Sequence, residues 1–422
     1  MASLVGSRVE RKEDKKFLTG KGRYTADVNF ANQTYAYFVR SPHARAQIKK
    51  VDISKAMKAP GVVEIFTGDS IVKNKIGGLI AGWRIKSEDG SDMKVPPHPP
   101  LASEYVNYVG DHVAVVIAET LDEARNAADL VSVDYKILKA VVNTKDAMNS
   151  DQIYKDIPQN LCFDWLLGDR AKVKEAFDKA DKIIKIDITN NRLIPNAMEP
   201  RAANADYNPS TEEITLYTTS QNPHLARIII SAFNGVAPEN KLRVIAPDVG
   251  GGFGSKIYPY AEEVVCSFAA KQIGRAVKWV ADRTESFLSD CHGRDHITHA
   301  ELAVKNDGTF LGFKNETIAN IGAYASVFGT VTPTYLFGPC ATGVYKMPAA
   351  YTNVKAVFTN TAPVDAYRGA GRPEATYTIE TLVEKASREL DMDPAEIRMK
   401  NFPTQFPFKQ TLVHQVDSGD YV

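Results

Sequence analysis

The stretch RVIAPDVGGGFGSKIYPYAEEVVCSF, residues 243–268, joins an apolar run typical of a strand to an amphipathic run typical of a helix. Three successive glycines, 250–252, lie between them and are followed by Phe253 and Gly254. Glycine allows positive φ and close approach to a ligand, and a helix N-terminus offers free N–H groups. The stretch therefore predicts either a loop that binds an anionic group or a tight structural turn packed by Phe253.

The spacing around this loop argues against two common nucleotide-binding motifs. The Walker motif fails because Ser255 separates Gly254 from Lys256, and Ile257 stands where Ser or Thr would ligate magnesium. The dinucleotide fingerprint G-x-G-x-x-G fails because its third glycine position falls on Ser255. The acidic residue after the next predicted strand, Asp282, also lies too far along the chain.

A second glycine-rich stretch, PVDAYRGAGRPEATYT at 363–378, again joins a β-like run to a long predicted helix. It carries glycines at 369 and 371 between Arg368 and Arg372. Two such loops with paired guanidinium groups favour an anionic cofactor held between them. The alternative is that both arginines form ordinary ion pairs with Glu374 or a distant carboxylate.

Composition narrows the class of protein. Lysine plus arginine and aspartate plus glutamate both total 51 of 422 residues, so the formal net charge is zero and nothing favours nucleic acid as a partner. No uncharged apolar run approaches the ~18 residues of a membrane span, and the N-terminus has no signal-peptide core. We therefore expect a cytoplasmic protein. Its cysteines, far apart and without a C-x-x-C pair, are expected to be reduced core residues: Cys162, Cys266, Cys291 and Cys340.

The pattern of apolar residues predicts an α+β fold. Strands are predicted at 34–41, 62–68, 112–119, 131–136, 182–190, 213–220 and 241–247, and helices at 121–131, 170–181, 224–235, 378–390 and from Pro394, with Asp393 as N-cap. A polar, irregular connection is predicted at 140–168, which divides the chain into domains 1–150 and 151–422. A polar, turn-like segment is predicted at 414–422.

Several motifs along nearly the whole chain resemble those of one family and follow one another in the same order as in that family. PDVGGGFGSK (247–256) and AYRGAGRPE (366–374), preceded by MEPRAANADY (198–207) and TTSQNPH (218–224), resemble the molybdenum-cofactor subunit of the molybdenum hydroxylases. This is the xanthine dehydrogenase and aldehyde oxidase family. RKEDKKFLTGKGRYTADV (11–28) and SPHARAQI (41–48) resemble the first, hammerhead-type α/β domain of that subunit, which implies that domain 151–422 is the first part of its cofactor-binding domain.

The resemblance implies a set of cofactor contacts, none of them a metal ligand through its side chain, since the pterin holds the metal. Gln221 would donate a hydrogen bond to an oxygen ligand of molybdenum. The loop Gly252-Phe253-Gly254 would press against the metal and offer N–H groups, which places Gln221 and Phe253 near molybdenum. Arg368 and Gly369 would contact the pterin and its surroundings.

Departures from the family pattern restrict the substrate that the resemblance implies. Purine hydroxylases carry a glutamate where this chain has Ile257, a phenylalanine where it has Ala370 and an arginine near Leu336. Carbon monoxide dehydrogenases carry a copper-binding cysteine where it has Gly369. Neither purines nor carbon monoxide is therefore the expected substrate.

Family members also continue beyond the segment that resembles DSGDYV (417–422), and the continuation contains the glutamate that acts as general base. Glu199, Asp365 and Glu374 lie near the motifs, but none matches that base, and structural or solvated roles are expected for them. The expected arrangement is a divided subunit, as in the nicotinate dehydrogenases, with the catalytic base on a second molybdopterin-binding subunit. The implied cofactor is molybdopterin cytosine dinucleotide. The resemblance also implies [2Fe–2S] clusters and FAD on further subunits, and an activity linked to NADP.

The expected function is hydroxylation of an electron-poor ring carbon with water as oxygen source, converting nicotinate to 6-hydroxynicotinate. One alternative is a sibling hydroxylase that acts on an aldehyde or another N-heterocycle. Another is a non-catalytic maturation protein that carries the cofactor, and a third is an inactive fragment. Retention of Gln221 together with both glycine loops argues against the non-catalytic alternative.

Overall fold

The computed structural model of the chain describes residues 4–409 and 411–412, and the backbone of 415–416. The segment predicted as turn-like at 414–422 therefore lies almost wholly outside the described residues. The strands are β1 (Thr34–Arg40), β2 (Ala46–Asp52), β3 (Val62–Thr67), β4 (Tyr105–Val106), β5 (His112–Ala118), β6 (Ser132–Ile137), β7 (Leu161–Gly168), β8 (Lys182–Asn190), β9 (Ala202–Asn208), β10 (Glu213–Thr218), β11 (Leu242–Ile245), β12 (Val277–Val280), β13 (His296–Val304), β14 (Phe310–Gly322), β15 (Ala349–Phe358), β16 (Phe408–Lys409) and β17 (Gln415–Val416).

Helices of between one and five turns connect and cover these strands. They are α1 (Asp14–Leu18), α2 (Gly68–Lys73), α3 (Leu121–Ala128), α4 (Arg170–Asp178), α5 (Pro223–Ile228), α6 (Ala261–Ile273), α7 (Arg283–Ser289), α8 (Arg372–Glu389) and α9 (Pro394–Asn401). A π-helical turn, Ile229–Phe233, continues α5. Within the described part of the chain, no helix is both long and apolar enough to cross a membrane.

Strands from both halves of the chain form one seven-stranded sheet, in the order β11-β10-β9-β12-β1-β5-β3. The junction is a parallel pair in which Thr34 of β1 faces Val277 of β12. Helix α6 packs on this sheet, and Val264 and Phe268 enter its apolar core beside Trp279. The hydrogen-bonded ladder therefore crosses the predicted division near residue 150.

A five-stranded sheet, β7-β15-β14-β13-β8, forms the second layer. Helix α8 packs against it, with Leu382 and Val383 in the same core as Leu302. The prediction of an irregular connection over 140–168 is wrong for its last part, because 161–168 is strand β7, paired antiparallel with β15. Burial of Trp165 against this sheet makes the segment a strand despite its polar flanks.

The predicted α+β class is confirmed, and the remaining paired strands form a three-stranded sheet, β4-β2-β6, and the short pair β16-β17. The predicted strands and helices are present with ends that differ by a few residues, except that the helix predicted from 378 begins six residues earlier, at Arg372. Asp393 caps α9 through bonds from the N–H groups of Ala395 and Glu396, as predicted. The domain boundary stays a prediction.

Helix α6 differs from its prediction in two ways. It is not amphipathic, because every residue of 261–270 is buried, including the carboxylates of Glu262 and Glu263. It also begins at Ala261 rather than directly after the glycines. The glycine stretch is therefore not the N-terminus of a helix.

Candidate cofactor-binding site

Two glycine loops that leave different sheets meet at the candidate site. The first glycine loop, residues 249–256, follows β11 of the seven-stranded sheet, and the second glycine loop, residues 366–372, follows β15 of the five-stranded sheet. The N–H of Arg368 donates to the carbonyl of Phe253 over 2.9 Å. A Cβ on Gly254 would overlap the backbone of Ala366, so only glycine allows this approach. The site is thus the junction between the two layers.

The first glycine loop presents backbone donors rather than a helix dipole. Gly251 and Phe253 have positive φ values of 93° and 53°, whereas Gly250 and Gly252 do not. Alternation of this kind turns successive N–H groups toward one side, the arrangement of an anion-binding nest. Among the described residues, the N–H groups of Gly251, Gly252 and Phe253 have no hydrogen-bond acceptor. They are available to a ligand, and Phe253 beside them is 41% exposed.

Gln221, between β10 and α5, is held against this loop. Its Oε1 accepts hydrogen bonds from the N–H of Gly254 at 2.8 Å and from that of Lys256 at 3.4 Å. Its own N–H donates to the carbonyl of Lys256 over 2.7 Å. Because two donors face Oε1, the amide nitrogen Nε2 lies on the other side. No described residue accepts a bond from Nε2, so Gln221 can donate to a ligand.

The structure therefore brings Gln221 together with residues 252–254, the first part of the predicted site. It assigns the N–H of Gly254 to Gln221 Oε1, which leaves Gly252 and Phe253 as the ligand-facing donors of that triplet. Gly252 has no room for a side chain, since a Cβ there would overlap the amide of Gln221. Close packing against Gln221 thus favours glycine at 252.

Glu199, between β8 and β9, lies behind the first glycine loop. Its Oε2 accepts from the N–H of Gly250 at 2.7 Å and lies 3.2 Å from Nζ of Lys256. Its Oε1 is buried without a hydrogen-bond partner among the described residues. The side chain of Lys256 is only 2% exposed, so this is a buried ion pair. Sequence reasoning did not find this pair, because 57 residues separate its members.

The second glycine loop ends at a helix, as predicted, because Gly371, with φ of 85°, is the N-cap of α8. Arg368 and Arg372 are both exposed. Among the residues that the structure describes, no carboxylate pairs with either, and Nη1 of Arg372 donates only to the carbonyl of Gly369, at 3.1 Å. The interpretation that they pair with Glu374 is therefore wrong, and both guanidinium groups retain donors for an anionic ligand.

Glu374 pairs instead with Arg294, at 3.1 Å. Arg294 also donates to the carbonyls of Tyr367 and Arg368, each over 3.0 Å. A single buried guanidinium thus fixes the backbone of the second glycine loop. Arg294 has a φ of 67°, a strained value for a residue with a side chain, and nothing in its sequence context signalled this role.

A buried cluster of charged residues contacts the first glycine loop through Tyr260. The guanidinium of Arg201, which is 1% exposed, binds Glu262 at 2.8 and 3.0 Å and Asp290 at 2.6 Å. It also lies 3.8 Å over the ring of Tyr260, whose hydroxyl donates to the carbonyl of Ser255 over 2.7 Å. Arg201 therefore acts on the loop through Tyr260.

The remaining carboxylate near the motifs has structural contacts as well. Asp365 is buried, accepts a hydrogen bond from the N–H of Phe328 at 3.0 Å and contacts the hydroxyl of Ser326. Burial raises the pKa of Asp365 to about 6.

Leu336 lies directly against Gly371, so this position of the predicted substrate region does border the second glycine loop.

Two family models match the chain. The molybdopterin cofactor-binding domain matches residues 153–402, and the aldehyde oxidase and xanthine dehydrogenase a/b hammerhead domain matches residues 19–139. Fold and site together thus define a chain with a molybdopterin cofactor-binding domain. It belongs to the molybdenum hydroxylase family, that of xanthine dehydrogenase and aldehyde oxidase, as a molybdopterin-binding subunit.

Named relatives agree with this assignment. The carbon monoxide dehydrogenase large chain of Hydrogenophaga pseudoflava is 35% identical, over 99% of this chain and 53% of the relative. The nicotinate dehydrogenase large molybdopterin subunit of Eubacterium barkeri is 28% identical, over 94% of this chain and 89% of the relative. The crystal structure of quinoline 2-oxidoreductase from Pseudomonas putida 86 matches with a TM-score of 0.91 and 31% identity, over 99% of this chain and 52% of that one. The chain thus spans about half the length of most of these relatives.

The residues present fit a molybdopterin cofactor. The first glycine loop contributes unpaired N–H groups, Gln221 contributes an unpaired amide donor, and the second glycine loop contributes two guanidinium groups without a carboxylate partner among the described residues. All of them are donors, as an anionic pterin with oxygen-rich substituents requires. Among the described residues, no group of three or more His, Cys, Asp or Glu side chains is arranged to hold a metal ion.

Proposed function

We propose that the chain is the larger molybdopterin-binding component of a hydroxylase that converts nicotinate to 6-hydroxynicotinate. The observation that carries the proposal is the set of unpaired donors at the junction of the two glycine loops, Gln221 Nε2 foremost. When bound, the cofactor supplies a centre that accepts two electrons from the substrate while water supplies the oxygen. The chain's own residues hold and orient that centre and supply hydrogen bonds to it.

The predicted contact residues have distinct roles in this arrangement, and that of Gly254 is to hold Oε1 of Gln221. Gln221 donates from Nε2, and Gly252 and Phe253 donate from the backbone. Phe253 also presents an exposed ring beside those donors. Arg368 and Gly369 would contact the pterin. Arg294 fixes the loop that contains them by donating to the carbonyl of Arg368. The cytosine dinucleotide form of the cofactor is part of the proposal.

Nicotinate is proposed as substrate on two grounds. The relative from Eubacterium barkeri is a nicotinate dehydrogenase subunit, and this chain covers 89% of its length. Copper chemistry of the carbon monoxide type requires a thiol, and Gly369 has no side chain. Ile257 and Ala370 likewise lack the carboxylate and the aromatic ring of purine hydroxylases.

A second molybdopterin-binding subunit is proposed to contribute the catalytic base. Within the described part of the chain, the carboxylates nearest to the loops have other partners: Glu199 binds Lys256, Glu374 binds Arg294 and Asp365 accepts backbone and hydroxyl hydrogen bonds. Subunits with [2Fe–2S] clusters and FAD complete the proposed complex, which is expected in the cytoplasm with NADP as a candidate electron acceptor.

The test is purification of the native complex through a tag on this chain. Molybdenum stoichiometric with the chain, iron, companion subunits and incorporation of ¹⁸O from labelled water at C6 of nicotinate would support the proposal. A complex that contains molybdenum but leaves nicotinate unchanged would refute the substrate. A chain without metal or partners would refute the enzyme.

A sibling hydroxylase of another N-heterocycle is the second candidate. It is favoured by the TM-score of 0.91 to quinoline 2-oxidoreductase. The same assay decides between the two, because turnover of quinoline without turnover of nicotinate would replace the proposed substrate. An aldehyde in the same panel tests the remaining sibling activity.

A further inference from the structure

Glu199 closes the first glycine loop by binding both of its ends. At the near end, the N–H of Glu199 donates to the carbonyl of Gly250 at 3.1 Å, and the N–H of Gly250 donates to Oε2 of Glu199 at 2.7 Å. At the far end, Nζ of Lys256 donates to the carbonyl of Glu199 at 2.7 Å and to the same Oε2 at 3.2 Å. One residue therefore ties residue 250 to residue 256.

Lys256 in turn holds Gln221 at two points. Its carbonyl accepts from the N–H of Gln221 at 2.7 Å, and its N–H donates to Oε1 of Gln221 at 3.4 Å. The ammonium and the backbone of Lys256 thus have different partners on opposite sides. Hydrogen bonds therefore connect the Glu199 carboxylate, through Lys256, to the amide of Gln221.

The charges of this pair are shielded from solvent. The side chains of Lys256 and Glu199 are 2% and 13% exposed. Burial lowers the pKa of Lys256, and the Glu199 carboxylate opposes that shift. A buried ammonium that loses its partner is strongly unfavourable, so the pair resists displacement more than a surface pair does.

We propose that Glu199 and Lys256 are positioning residues, which fix the Gln221 amide with Oε1 on the loop and Nε2 toward the cofactor side. Neither residue contacts the substrate in this proposal. The inference rests on the proposed function for its catalytic readout, and on the geometry alone for its hydrogen-exchange readout.

The test compares Glu199→Ala, Glu199→Gln and Lys256→Met in the complete complex. Glutamine keeps one oxygen that can accept from both Gly250 and the ammonium, because Oε2 alone now makes both contacts. We expect Glu199→Ala and Lys256→Met to lower kcat by about 10- to 100-fold with little change in KM, as for residues that orient a metal-site group. Glu199→Gln is expected to retain most of the activity.

Amide hydrogen exchange of the peptide 249–256 gives a readout independent of turnover. It is expected to accelerate in Glu199→Ala and Lys256→Met and to stay close to wild type in Glu199→Gln. The Mo(V) electron paramagnetic resonance spectrum is expected to change in the same two variants. If the wild-type complex hydroxylates no heterocycle, the proposed function is refuted. The hydrogen-exchange experiment would still test the positioning role of Glu199 and Lys256.

Lys278→Met is the matched control. Lys278 is another buried lysine, but its ammonium binds the carbonyls of Ala26 and Val28 and the side chain of Asn29 instead of the glycine loop. We expect it to lower stability without changing exchange over 249–256. The inference is overturned if Lys278→Met reproduces the losses of Lys256→Met, or if Glu199→Ala leaves both exchange and kcat unchanged.

Discussion

The guanidinium of Arg201 binds both carboxylate oxygens of Glu262, at 2.8 and 3.0 Å, in a place that solvent does not reach. The next residue, Glu263, is equally buried but lies 3.8 Å from the same guanidinium. The two neighbours therefore have opposite ionisation behaviour. Burial raises the pKa of Glu263 to about 7. Burial would also raise that of Glu262, but Arg201, His112 and Arg40 hold the pKa of Glu262 well below its usual range.

Glu263→Gln is expected to weaken the dependence of stability on pH. The folded-state pKa of Glu263, about 7, exceeds its ordinary value of 4.5, so its contribution is present below pH 4.5 and is lost as pH rises through 7. The shift corresponds to about 3 kcal/mol of unfolding free energy at most. Glutamine can still accept from the N–H of Tyr260 and bind the hydroxyl of Thr218. Urea denaturation at pH 5 and pH 8 checks this.

Glu262→Gln is the contrasting variant. Its lowered pKa means that its contribution is present above pH 4.5 and is lost as pH falls further. Because Arg201 and Arg40 would then be buried with an uncharged partner, we expect a loss of about 3–5 kcal/mol at pH 7. Equal losses in the two variants at neutral pH would contradict the assignment of opposite pKa shifts.

Gly252→Ala is expected to reduce the molybdenum content of the purified complex. The added methyl group would overlap the Gln221 amide and displace the donor that the cofactor requires. Gly274→Ala is the control, since Gly274 has a positive φ of 68° but no atom within reach of a Cβ. We expect the control to cost about 1 kcal/mol of stability through backbone strain and to leave the metal content unchanged. Unchanged metal content in Gly252→Ala would refute the role given to the loop.

Arg294→Lys is expected to loosen the second glycine loop. One ammonium cannot replace a planar fork that binds Glu374 and two backbone carbonyls together. We expect faster hydrogen exchange over 366–372 and a loss of about 2–4 kcal/mol in unfolding free energy. Arg275→Lys, which alters a partly exposed pair with Glu119, serves as control and should change stability by less than about 1 kcal/mol.

Three cysteines are expected to resist alkylation in the folded protein. Cys162, Cys266 and Cys291 are buried free thiols, as their sequence context predicted, and burial raises the pKa of Cys291 to about 12. Thiolate is the reactive form, so iodoacetamide at pH 8 should label these positions only after denaturation. Mass spectrometry of labelled peptides before and after urea treatment tests this, and native labelling of Cys291 would disagree with the packing.

Most helices and many strands could be predicted, because their apolar residues recur at strand or helix spacing, but β9, β13 and β14 were not among them. Strand β7 was missed, because its burial depends on pairing with β15, which lies nearly two hundred residues further along the chain. The sequence of helix α6 predicts an amphipathic helix, yet Glu262 and Glu263 are buried. Both are buried because Arg201, which immediately precedes β9, reaches them from a distant part of the sequence, a contact that periodicity does not encode.

The candidate site was predicted in its motifs but not in its supports. The residues quoted from the two glycine loops and Gln221 do meet in space. Arg294 and the pair Glu199–Lys256 were not found, since each acts through a partner far away in the sequence. Local patterns indicate where a backbone turns, whereas the groups that hold the turn in place depend on the tertiary arrangement.

The parallel pairing of β1 with β12 has a consequence for recombination between relatives. Thr34 donates to the carbonyl of Ala276 through both its N–H and its hydroxyl, each at 2.8 Å. The amino-terminal module, which contains strands β1 to β6, is therefore joined to the rest of the chain in the middle of the seven-stranded sheet. A chimera with its crossover near residue 150 would combine two halves of one ladder from different parents. Grafting this module is therefore expected to succeed only when β12 is transplanted with it.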